Sequence, residues 1–155
     1  MKKFLYPIIN LVNVVLVSIV FGLGANPAYS VDKAQSIPAQ HDWYNLVWQP
    51  IMGGRSNTVG IIGFFLFVFA VAGVLFAFIP TKVRQWVNVG VGAALIAAGV
   101  LFLLSPAGGL RDATLTVKLS DSLIAMAVLV FIVAAFALAM GILEILKVFD
   151  KKETK

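Results

Sequence analysis

Few residues in this chain are equipped for chemistry, and their spacing narrows the field further. Its 155 residues include one histidine and no cysteine. Disulfides, thiolate metal sites and cysteine nucleophiles are therefore excluded. His41 stands beside Asp42, a pairing that can orient an imidazole for metal or acid–base work. No second histidine and no carboxylate cluster accompanies it, which favours a solvated surface histidine. No nucleophile-elbow spacing, Walker-type loop, dinucleotide fingerprint or HExxH motif occurs. The expectation is a protein that is not an enzyme and carries neither cofactor nor metal.

Glu144 is the only acidic residue lying within an apolar run. Lys147 follows three positions later, so the two can meet on one helix face as an ion pair at a membrane surface. Transporters usually place charges or broken helices near the bilayer midplane. This chain does neither, and Asn88 alone scarcely supplies a polar stripe for conduction.

The elements that position these residues are apolar. Hydrophobic residues make up 61% of the chain and charged ones 12%, with a mean hydropathy of +0.98. A soluble domain is about half apolar and about a quarter charged. Too little polar surface remains to coat a water-soluble particle, so the sequence reads as an all-α integral membrane protein.

Residues 1–30 read as a signal peptide or signal anchor. Lys2 and Lys3 form a positive start, and Ile8 to Leu23 an apolar stretch diluted by Asn10, Asn13 and Ser18. Gly22, Gly24 and Pro27 break it, and Ala28-Tyr29-Ser30 offers small residues for cleavage after Ser30. Residues 31–58 form an extracytoplasmic segment with a short interfacial helix. Asp42 caps that helix, Trp43, Leu46 and Val47 share one face, and Pro50 ends it. Trp43, Trp48 and Trp86 suit the headgroup zone, where an apolar ring and a polar N–H are both satisfied.

Three apolar runs then predict a small bundle over 59–147, with spans at about 59–79, 86–104 and 123–146 (four spans if the signal is uncleaved). Pro80 ends the first run and Ser105-Pro106-Ala107-Gly108-Gly109 breaks the second. Leu110 to Leu119 alternates polar and apolar residues, as a short strand or a loop. Ser120 or Asp121 caps the third run, and residues 148–155 are a charged tail.

Basic residues orient the bundle. Lys2, Lys3, Lys82, Arg84, Lys147, Lys151, Lys152 and Lys155 fall on one side. Lys33, Arg55, Arg111 and Lys118 fall on the other, which the asymmetry assigns to the outside. The mature N-terminus is expected outside and the C-terminus in the cytoplasm. The formal net charge of +5 then lies wholly on the cytoplasmic side, facing anionic lipid heads. It is a topology signal and does not point to nucleic acid.

Helices in lipid associate by close packing through small residues. Gly73 and Ala77 in the first run, Gly90, Ala94 and Ala98 in the second, and Ala137 and Gly141 in the third are the candidates. Packing within one protomer is the plainer use of these stripes, and an interface with another chain the sharper one. Phe64, Phe65, Phe67, Phe69, Phe76 and Phe78 crowd the first run on more than one face, as lipid contact and packing require.

From Ala28 to Leu104 the order is cleavable signal, polar segment, apolar span, basic loop with Lys82 and Arg84, and a small-residue span around Gly90 to Gly99. This order loosely resembles the major pilins of type IV secretion systems, over about half the chain, and implies self-assembly. The third run has no counterpart in that two-helix pattern. The expected function is a structural or accessory subunit of a membrane complex, in contact with lipids and with other membrane subunits or its own copies. A self-assembling pilin-like or pore-forming subunit is the alternative, ahead of a small channel or transporter.

Overall fold

Each apolar run of the sequence, the N-terminal one included, becomes a helix. The computed structural model describes residues 2–31, 40–48, 56–110 and 117–146. Its elements are α1 (Lys2–Leu23), β1 (Pro27–Val31), β2 (Gln40–Asp42), α2 (Trp43–Trp48), α3 (Thr58–Phe76), α4 (Arg84–Leu110), β3 (Val117–Leu119) and α5 (Asp121–Ile145). Among the described residues, four helices are long and apolar enough to cross a membrane: Phe4–Leu23, Thr58–Phe76, Arg84–Gly108 and Asp121–Ile145.

The helices run up and down. α4 packs most extensively on α3 and α5, while α1 leans on α5 and more lightly on α3. At one end the strands form a three-stranded antiparallel sheet in the order β2-β1-β3. At the other end lie the start of α1, the link between α3 and α4, and the end of α5.

Each long helix buries one stripe, and each stripe steps alternately by three and four residues. It runs Asn10, Asn13, Val17, Val20 in α1 and Asn88, Val91, Leu95, Ala98, Phe102, Ser105 in α4. In α5 it runs Leu123, Met126, Val130, Val133, Ala137, Met140, and in α3 Gly60, Gly63, Phe67, Ala70, Val74, followed by Ala77. This spacing keeps one side of each helix turned toward the bundle.

The caps follow local chemistry. The Asn57 side chain accepts from Gly60 N at 3.0 Å and opens α3. Ser120 caps α5 through Leu123 N at 3.1 Å, and Asp121 adds a favourable charge to the first turn. Leu110 to Leu119 ends in a strand, β3.

Two expectations need correction. Ser105-Pro106 does not end the second run, because α4 continues through Pro106 to Leu110. Proline lacks an N–H and frees the carbonyl four residues back. Here that carbonyl, Phe102 O, receives the Ser105 hydroxyl at 2.7 Å. Nor is Trp43 a headgroup anchor. It is 2% exposed, with its ring 4.6 Å from Phe102 and 6.0 Å from Phe64. The short helix is where the sequence puts it, with Trp43, Leu46 and Val47 on its buried face, but that face is turned onto the bundle.

Candidate functional site

Polar side chains inside the bundle gather at its two ends, and the end opposite the sheet holds the charges. Arg84 is the first residue of α4 and Glu144 lies in the last turn of α5. A cation at a helix N-terminus and an anion at a helix C-terminus each oppose the local dipole, by about 0.3–1 kcal/mol apiece. Pairing them across antiparallel helices removes both conflicts. Arg84 Nε donates to Glu144 Oε1 at 3.0 Å, and Nη2 reaches the same oxygen. Their side chains are only 22% and 16% exposed.

α1 closes over this pair. The Tyr6 ring lies 4.1 Å from the Arg84 guanidinium carbon, and its hydroxyl donates to Met140 O at 3.1 Å. One turn along α1, Asn10 Nδ2 donates to Ala77 O at 3.1 Å, a carbonyl beyond the regular end of α3. Asn88, one turn into α4, is 3% exposed and faces the bundle. Its Nδ2, Glu144 Oε2 and Asn13 Oδ1 make no hydrogen bond among the described residues. The carboxylate is thus held by a guanidinium at a corner where α1, α4 and α5 meet. This arrangement clamps helices together.

The other end is tied by neutral groups. Trp43 Nε1 donates to Ser105 Oγ at 3.2 Å. Asn57 Nδ2 donates to Ser105 O at 2.9 Å and to Leu46 O at 3.1 Å. One proline-disturbed turn of α4 therefore holds α2 and the start of α3.

The small residues divide unevenly between inside and outside. A Cβ on Gly73 would run into Val91 of α4, and one on Gly141 would lie 2.8 Å from Val89 Cγ2 and 2.9 Å from Gln85 O. Ala77, Ala98 and Ala137 are buried and Ala94 packs against the core. Gly90 alone of this set is exposed, with nothing within 4 Å of an added Cβ. It continues into exposed Ala93 and Ala97, between Trp86 at 62% and Val100 at 46% exposure. That line has the same three–four spacing as the buried stripes. Trp48 is also exposed, stacked edge-on against Phe64 and Phe65.

Sequence reasoning missed Arg84 as the partner of Glu144 and missed Tyr6 altogether, and it read Asn10 only as diluting an apolar stretch and Ser105 only as part of a break. A signal for α1 was present in the spacing of Tyr6, Asn10, Asn13, Val17 and Val20. Arg84 and Glu144 lie 60 residues apart, and no local pattern joins them. Lys147, Pro50 and the charged tail lie outside the described residues, and so does the side chain of His41. Among the described residues no three His, Cys, Asp or Glu side chains converge as metal ligands. No protein-family model, curated protein or solved structure matches this chain.

Proposed function

We propose that this protein is a non-enzymatic, multi-pass subunit of a larger membrane complex, and that it docks through the outer face of α4. One observation carries this reading. Gly90, Ala93 and Ala97 are exposed on a line spaced like the stripes that pack inside the bundle. Lipid chains have no need of a flat, small-residue surface, whereas a helix from another chain gains close backbone approach from it. The charged side chains favour the same reading, because Arg84 and Glu144 are committed to holding helices together.

The sheet end is taken as extracytoplasmic and the end bearing Lys82 and Arg84 as cytoplasmic, on the distribution of basic residues. The sheet and α2 then form a cap on the outer surface, and lipids surround the remaining helix faces. Self-assembly through the same α4 face is the alternative occupant.

A photoreactive side chain at Ala93 tests the docking face in native membranes. It is expected to crosslink to a second polypeptide, while the same group at the 72% exposed Phe69 of α3 meets lipid only. Crosslinks to another copy of this chain would establish the self-assembling alternative. A blank result at Ala93 alongside Phe69 would remove the docking face.

A further inference from the structure

We propose that the bond after Ser30 is protected by folding, so that the helix reading as a secretory signal stays attached as a permanent fourth span. Proteolysis favours exposed chain with few partners. The residues that resemble a cleavage site are instead the middle strand of the sheet. Tyr29 and Ser30 pair with His41 and Gln40 on one side and with Leu119 and Lys118 on the other, and Val31 pairs with Val117. The bond to be cut therefore lies inside a ladder.

The side chains and caps tighten the same segment. Ala28 and Tyr29 are 1% exposed. Ser120 N donates to Ala28 O at 3.1 Å, and its hydroxyl reaches Pro27 O, so the cap of α5 is also a clasp on β1. On the helix side, Trp43 N donates to Gly24 O at 3.1 Å and the Tyr44 hydroxyl donates to Phe21 O at 2.7 Å. The Tyr44 ring packs so closely on Gly24 that an added Cβ would lie 2.8 Å from it.

α1 itself is built as an inner helix. A signal peptide needs only an apolar stretch, and Asn10 and Asn13 weaken one. Both are buried on the stripe facing the bundle, and Asn10 holds the Ala77 carbonyl. A polar side chain facing inward is useful to a helix that stays, because it bonds across the bundle. With α1 retained, the start of α1 and the end of α5 lie on the same side of the membrane.

The proposal rests on the orientation given above, which turns the sheet toward the side where signals are removed. The test is the intact mass and N-terminal peptide of C-terminally tagged protein purified from membranes. A species retaining residues 1–30 is expected, and a chain beginning at Val31 would overturn the proposal. Lys118→Pro combined with Ser120→Ala opens one side of the ladder and leaves residues 27–31 unchanged. Chains beginning at Val31 are expected to appear in this variant, and their absence would overturn protection by the strand. The wild-type mass decides retention even where that variant fails to accumulate. Because the chain has no cysteine, Lys118→Cys reports the side independently through a membrane-impermeant maleimide on intact cells. Labelling supports the orientation. An unlabelled thiol would overturn the orientation, and with it the need for protection.

Discussion

Ser105 and Pro106 illustrate how single residues settle the backbone of an apolar helix packed between two others. The proline frees Phe102 O, and the neighbouring serine satisfies that carbonyl while accepting from Trp43. Ser105→Ala is expected to cost about 1–3 kcal/mol, the penalty for leaving buried polar groups unpaired. In a Pro106→Ala background the restored amide can bond Phe102 O, so the cost of Ser105→Ala should shrink. A double-mutant cycle on thermal unfolding in detergent reads this coupling, and strict additivity would argue against the bridge. Tyr29 gives a prediction of opposite sign. Its hydroxyl is buried without a partner among the described residues, so Tyr29→Phe should be neutral or stabilising by about 1 kcal/mol at neutral pH. Burial also raises the phenol above its ordinary value of 10.0, so the folded protein keeps a proton that the unfolded chain releases. The stability linked to Tyr29 is complete below pH 10.0 and is lost as pH rises above it. Tyr29→Phe should flatten part of that alkaline loss, and Tyr44, which burial shifts in the same direction, contributes to the rest.

At the level of elements, the helices were legible as helices and their facing was not. Length and hydropathy identify the apolar runs, because the bilayer demands about 20 apolar residues per span. They do not reveal which face is inside, since lipid is as apolar as the core. The markers of the inner face are the residues that are small or polar: Gly60 and Gly63 in α3, Asn88, Ala98 and Ser105 in α4, Asn10 and Asn13 in α1. Read as diluting a signal, the asparagines concealed the buried stripe of α1. Trp43 misled for a related reason, since an aromatic beside a membrane suits the headgroups as well as it suits a pocket under a sheet. The sheet was nearly invisible, its strands being short and paired with partners distant in sequence. This view of facing separates two glycines. Gly141→Leu should destabilise the protomer by roughly 1–3 kcal/mol through overpacking against α4. Gly90→Leu should leave protomer stability within about 0.5 kcal/mol, as an exposed change does. Unfolding midpoints of the two variants in detergent check this, and equal losses would show that Gly90 faces inward.

Across the described residues, the molecule joins four helices long and apolar enough to cross a membrane to a small sheet that ties the first of them to the last. Charge pairing clamps one end and the Trp43–Ser105–Asn57 contacts fasten the other. The small-residue line Gly90, Ala93 and Ala97 on the outer face of α4 stays uncovered, and the proposed role as a complex subunit depends on it. Native mass spectrometry of tagged wild type and Gly90→Leu, extracted in the mildest detergent that solubilises them, tests this most directly. Wild type should carry other membrane proteins in fixed ratio, and Gly90→Leu should release them as a folded protomer of otherwise unchanged mass. Wild type measured as a bare monomer, in gentler extraction as well, would contradict the account.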